Sequence, residues 1–157
     1  MRKLVLLLAV FALSFQSNAQ KLWKNEVDEF TGDVKKFTNY YTIATTSVGQ
    51  IKASAWRIND YYYLKLKSTA DLGCAGALGN YVIIKFTDGT VLKLEKDISD
   101  IECADSSPSL FIITSELGNL INKKVEKIRF RQSQYYTDGN TSGTYSLSQI
   151  IKATKNK

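Results

Sequence analysis

The sequence predicts an α+β fold that is mainly β, an antiparallel sheet or sandwich of about seven strands built on hairpins, with two short helices. Three observations carry this expectation. Val82 to Glu95 reads V-I-I-K-F-T-D-G-T-V-L-K-L-E, two alternating β-branched runs around Asp88-Gly89, which is a local hairpin signal. The same alternation recurs on both sides of it, between turn residues. Helical spacing behind a capping residue, by contrast, is found in two short stretches, after Ser115 and after Ser146.

Residues 1–19 read as a cleavable signal peptide. Arg2 and Lys3 form a charged start, Leu4 to Leu13 is unbroken and apolar, and Ser17-Asn18-Ala19 places small residues at a cleavage site after Ala19. The apolar run is short for a membrane span, which needs about 20 residues. No cysteine lies near the cleavage point, so no lipid anchor is expected there. Removing 19 residues from 157 leaves 138, residues 20–157, the size of one β-rich domain. That remainder holds 19 basic and 15 acidic residues, a net charge of +4. The basic residues are spread along the chain, so no nucleic-acid partner is expected. The expected location is secreted or periplasmic.

Trp23, Val27 and Phe30 have helical spacing, but Asp28 to Asp33 reads as a turn, so residues 20–30 are expected to be a short strand or irregular lead-in. Lys36 to Thr46 reads as a strand with Phe37, Tyr41 and Ile43 inward. After Gly49, Ile51 to Ile58 and Tyr61 to Lys67 form a hairpin about Asn59-Asp60, with Tyr62, Leu64 and Leu66 inward. Leu72 to Asn80 is a glycine-rich connection that lacks the lysine and serine or threonine of a phosphate loop.

In the Val82–Glu95 hairpin, a two-residue turn at Asp88-Gly89 would pair Ile84 with Lys93 and mix apolar with charged side chains on one face. A three-residue loop, Thr87-Asp88-Gly89 with Gly89 left-handed, pairs Phe86 with Thr90, Ile84 with Leu92 and Val82 with Leu94, and leaves one apolar face. The same register carried outward brings Cys74 close to Cys103. An exported chain with an even cysteine count favours a disulfide between them, closing a loop that stabilises by roughly 3–4 kcal/mol.

Glu95 to Ser107 is expected to be an acidic loop. Its Asp97, Asp100, Glu102 and Asp105 do not follow the calcium-loop order, so no metal is assigned. Leu110 to Thr114 reads as a buried strand, and Ser115 as the cap of a helix that faces the core with Leu117, Leu120 and Ile121. Lys124 to Gln132 returns to alternation with Ile128 and Phe130 inward. Tyr135 to Thr144 reads as a polar loop around Asp138-Gly139-Asn140, and Ser146 caps a last helix with Leu147, Ile150 and Ile151 inward.

Trp23 followed by Asp28-Glu29-Phe30-Thr31-Gly32 resembles the opening of a broad group of small secreted, β-rich proteins of unassigned activity. The resemblance implies a fold type. It carries over no catalytic residue.

The chain contains no histidine, so serine and cysteine triads that use histidine and histidine-ligated zinc are excluded. A carboxylate pair remains as enzymatic chemistry, with Asp28, Glu29 and Asp33 the densest acids before the acidic loop. No cofactor is indicated. The expected function is therefore a non-enzymatic binding or accessory domain for a protein or glycan. The alternatives are a carboxylate-dependent glycan hydrolase, and an inhibitor of a secreted enzyme acting through the Tyr135–Thr144 loop. The expected binding face consists of Arg57, Tyr61, Tyr63, Lys65, Arg129, Arg131 and Tyr135, flanked by Lys67, Lys85, Lys93 and Lys127. Ile83 and Val91 share that face, as on the wet side of any antiparallel sheet that cations keep soluble.

Overall fold

The structure, a computed structural model, describes residues 21–72, 79–95, 108–132, 135–141 and 145–155. Among them are ten strands: β1 (Leu22–Val27), β2 (Val34–Thr38), β3 (Tyr41–Thr46), β4 (Gln50–Ile58), β5 (Tyr61–Ser68), β6 (Tyr81–Phe86), β7 (Val91–Glu95), β8 (Ser109–Ile112), β9 (Val125–Gln132) and β10 (Tyr135–Asn140). Two helices accompany them, α1 (Leu117–Asn122) and α2 (Leu147–Lys155). All ten strands belong to one antiparallel sheet that does not close, so the expected mainly-β class holds while the expected seven strands do not.

The extra strands have local causes. The lead-in is β1, joined to β2 by a turn in which the Asp28 carboxylate accepts the Phe30 and Thr31 N–H groups, each at 2.9 Å, and Gly32 takes φ 74°. Phe30 stands at the tip, 98 % exposed. The Lys36–Thr46 run divides into β2 and β3, which lie along one edge of β4. Pair sums of 93 for Phe37 with Trp56 and 94 for Tyr41 with Ala53 show that one residue is inserted at the break. Buried hydroxyls repair the ladder there. Ser54 Oγ donates to the Thr38 carbonyl at 2.7 Å, and Thr38 Oγ1 accepts the Ala55 N–H at 2.9 Å.

Beyond the β2–β3 edge the sheet divides, because β1 continues it from β2 and β10, β9, β6 and β7 continue it from β3. On the other edge of β4 come β5 and β8. The sheet curls around a core in which Ile51, Leu64, Leu66, Ile84, Phe111, Ile128 and Phe130 are all buried. Its far strands β7 and β8 approach one another without a ladder between them. Where β4 turns only Ala53 and Ala55 inward, α2 packs on the sheet with Leu147, Ile150 and Ile151, and α1 packs on α2. Ser146 Oγ accepts the Gln149 N–H at 3.2 Å, and Gln149 Oε1 accepts the Ser146 N–H at 3.2 Å, so the expected cap is a reciprocal capping box.

The β6–β7 hairpin has the expected register. Ile84 faces Leu92, Val82 faces Leu94, Phe86 and Thr90 close the loop at 2.9 Å, and Gly89 takes φ 84°. Cys74, Cys103, residues 73–78 of the glycine-rich connection and residues 96–107 of the acidic loop lie outside the described residues.

Three expectations are corrected. Residues 135–140 are not loop but β10, paired along its length with β9. Ser115 is not the helix cap, since α1 begins after Glu116 and has no side-chain cap bond. Nor is the Leu110–Thr114 run buried throughout, because Ile112 is 65 % exposed on the outer face.

Candidate functional site

The seven residues of the expected face do not form one site. Tyr61, Tyr63 and Lys65 lie on the outer, water-facing side of β5, and Arg129 and Arg131 on the outer side of β9. Four strand spacings separate these groups along a curved surface, about 19 Å. Arg57 is excluded by parity. The β4–β5 register pairs it with the buried Tyr62, so its guanidinium lies 5.6 Å from that ring and its Nε donates to the Asn59 carbonyl at 2.7 Å. Tyr135 has the same inward parity, although at the start of β10 its side chain is 61 % exposed. It pairs with the buried Gln132, and its neighbour Tyr136 is the residue that meets the β9 arginines.

The outer face of β10, β9, β6 and β7 is organised in cross-strand rows. Arg129 lies 4.5 Å from the Tyr136 ring, while Arg131 and Lys93 lie 5.5 and 5.0 Å from the Tyr81 ring. Local carboxylates take up much of this charge. Arg129 donates twice to Asp138, each bond 2.6 Å, and this pairing holds the Asp138 carboxyl below its usual range. Lys85 pairs with Glu126 at 3.1 Å, and Lys93 pairs with Glu95. A polyanion would have to compete with these internal partners.

The opposite wing presents a different surface. On the outer side of β1, β2, β4, β5 and β8, cross-strand pairing aligns Phe37 with Trp56, Trp56 with Tyr63 and Tyr63 with Ile112. Trp23 extends the row across β1. A bulge between Leu22 and Lys24 turns its ring onto Phe37, with centroids 5.4 Å apart, and Phe37 in turn packs on Trp56 at 4.6 Å. The Trp56 indole is fixed by donating Nε1–H to Ser54 Oγ at 3.0 Å, the same hydroxyl that bridges to Thr38. Lys65 covers Trp56 at 4.5 Å, and Lys67 lies 4.6 Å from Tyr40, whose phenol burial pushes up to about 12.

Phe37, expected inward, is buried on this outer face and stays outside the main core. Trp23, Phe37 and Trp56 are the residues sequence reasoning missed. Phe37 and Trp56 are aromatic residues at outward parity that only the β2–β4–β5 register brings together, and Trp23 joins them through the bulge in β1. Trp23 is 57 % exposed at the end of the row.

Of the recesses, a cleft of about 340 Å³ between α1, α2 and β9 has Ile43, Ile128 and Leu147 in its walls and Lys124 and Tyr145 among its polar lining, with no carboxylate among the described residues. A groove of about 390 Å³ over β9 has one carboxylate, Asp138, already held by Arg129. Asp28, expected among the dense acids, is engaged in its own turn, where the Thr31 and Phe30 N–H groups lower its carboxyl's pKa. No helix among the described residues is long and apolar enough to cross a membrane. No family model, curated protein or solved structure matches this chain.

Proposed function

We propose that this chain is an exported, non-enzymatic binding domain that holds a neutral glycan against the aromatic row Trp23–Phe37–Trp56–Tyr63. One observation carries the reading: large apolar or aromatic residues stand one per strand across the water side of five successive strands. That side of a sheet ordinarily carries polar residues; here Trp23 and Ile112 are exposed at the ends of the row, Trp56 and Tyr63 are half-buried between them, and Phe37 is buried as the support on which Trp23 and Trp56 pack. The four aromatic residues span three strand spacings, about 14 Å, and Ile112 extends the apolar row to about 19 Å, enough for several sugar rings to lie flat. Indole and phenol rings offer apolar faces to the C–H side of a sugar, and Lys24, Lys65 and the tyrosine hydroxyls supply polar contacts at its margin. Lys65 is no obstacle, since lifting an exposed ammonium off an indole costs about 0.5–1 kcal/mol.

Calorimetric titration with soluble β-glucan, xylan and mannan tests the proposal. At least one should bind, with Trp23→Ala and Trp56→Ala each weakening it about tenfold or more, and Arg129→Gln leaving it unchanged. Absence of binding to the whole panel would count against the reading. So would binding that survives both tryptophan changes but disappears with Arg129→Gln or added salt, which would instead assign an acidic ligand to the β9 face.

A further inference from the structure

Among the described residues β1 pairs on one side only, with β2, and its other edge is open. We propose that this edge pairs with the β1 edge of a second copy, making a two-fold dimer with one sheet running through both molecules. The ladder shows which groups face outward. Asp28 N–H donates to the Asp33 carbonyl at 2.9 Å, toward β2. Antiparallel alternation then turns Glu26 toward β2 as well, and presents the N–H and C=O of Asn25 and Val27 along the open edge.

A two-fold axis through Asn25 uses those groups directly. Asn25 bonds to its symmetry mate, and Val27 of each copy offers its N–H and C=O to the bulged Leu22–Lys24 segment of the other. Lys24 then falls opposite Glu26 of the second copy, in the non-hydrogen-bonded positions where side chains come closest, and the axis repeats the pair. Shifts of one residue put Lys24 against Asn25 or Val27. A shift of two residues sets Lys24 against Lys24, or Glu26 against Glu26. The Glu26-centred shift does set Lys24 against Asp28, but at the cost of the Glu26–Glu26 contact on the axis; the register centred on Asn25 forms the Lys24–Glu26 pairs with no like-charge contact, and it also carries Lys21 toward the acidic Asp28–Glu29 turn of the second copy.

In one copy Lys24 and Glu26 bridge each other along the strand at 2.8 Å, so dimerisation exchanges an existing pair and strands no charge. It also brings Val27, which is 61 % exposed, alongside the second copy, while the Trp23 ring stays on the outer face where the bulge turns it onto Phe37. The bulge that often protects an edge lies at Leu22–Lys24 and leaves Lys24 to Val27 regular. The dimer stands on this edge alone. For a polymeric glycan it would also set two aromatic rows side by side and raise avidity, a consequence that rests on the glycan reading.

Sedimentation equilibrium on the purified protein, without glycan, tests the pairing. A monomer–dimer equilibrium is expected, with Lys24→Glu and Glu26→Lys each weakening it about tenfold or more, because each change makes two like-charge pairs. The double variant K24E/E26K should restore it, and Asn25→Pro should abolish it. Amide exchange at Asn25 and Val27 should slow as protein concentration rises, which reports pairing without any variant. A monomer at all concentrations overturns the proposal. A dimer indifferent to the single reversals, or not restored by the double, overturns the register.

Discussion

Two Asp-Gly pairs show how one dipeptide serves opposite ends. At Gly89 the backbone takes φ 84°, with nothing within 4 Å of where a Cβ would be, so glycine is there for its conformation. At Gly139 the strand is extended, but a Cβ would sit 2.7 Å from Ala44 Cβ and 3.3 Å from the Thr45 carbonyl, so glycine is there for the close approach of β10 to β3. Gly89→Ala should cost about 1 kcal/mol from left-handed strain alone. Gly139→Ala should cost more, about 2–3 kcal/mol, because the neighbours are backbone and a short buried side chain. Urea unfolding of the two variants checks the order. Asp88, beside the first glycine, accepts the Thr90 hydroxyl at 2.6 Å and the Thr90 N–H at 2.9 Å and pairs with Lys123 at 3.0 Å, which together bring its carboxyl down to about 2. A carboxyl depressed in the folded state stabilises above its ordinary 3.8, and that contribution is lost as pH falls toward about 2. Asp88→Asn should therefore be less stable than the parent at about pH 5 and approach it at about pH 2.5, where the parent's carboxylate is being protonated. Urea midpoints at the two pH values that show a constant difference would refute this account.

At the level of elements, the two helices separate what a local motif can specify from what it cannot. Ser146 caps α2 because Gln149 three residues later completes the reciprocal bonds within one turn. Ser115 has the residue type of a cap, but the preceding Thr114 is tied to β5, its hydroxyl accepting the Tyr62 N–H at 2.9 Å, and the helix starts only after Glu116. Ser146→Ala should lower stability by about 1 kcal/mol, whereas Ser115→Ala should stay within about 0.5 kcal/mol, both measurable by thermal or urea unfolding. The Tyr135 segment is the complementary case. Its polar, glycine-containing sequence has the composition of a loop, yet β9 pairs with it along its whole length and β3 pairs with Gly139 and Asn140 on the other side. Pairing with the preceding strand, and at Gly139 and Asn140 with the distant β3, overrides weak strand propensity.

For the whole molecule, the consequential feature is the curl that brings β8 and β9, from opposite wings of the sheet, to a common core. Phe111 and Phe130 meet there edge to face, with centroids 6.5 Å apart and both side chains fully buried. Phe111→Ala and Phe130→Ala should each cost about 3–5 kcal/mol. The double-mutant cycle should return a coupling of about 0.5–1.5 kcal/mol, and a value near zero would mean that the wings do not share this contact. The same curl divides the outer surface in two. Tyr63 with Lys65 and Arg129 with Arg131 are alike in the sequence and alike in facing water, but they look out from different wings.

What the sequence by itself determined is what period-two alternation and short-range turn chemistry encode. These include the mainly-β class, the inward sets Tyr62–Leu64–Leu66 and Ile128–Phe130, the bulged register of the β6–β7 hairpin, and the Ser146 cap. Tyr63 and Lys65 of the candidate face were legible for the same reason. Which strands lie beside which is settled only in three dimensions, and with that the aromatic row, the inward parity of Arg57 and Tyr135, and the edge of β1 that no other described strand pairs. The physical reason is that facing within a strand depends on neighbours two residues apart. The meeting of Trp23, Phe37, Trp56 and Tyr63 depends on pairings between separate strands, on the one-residue insertion after β2 and on the bulge in β1, none of which a local pattern contains.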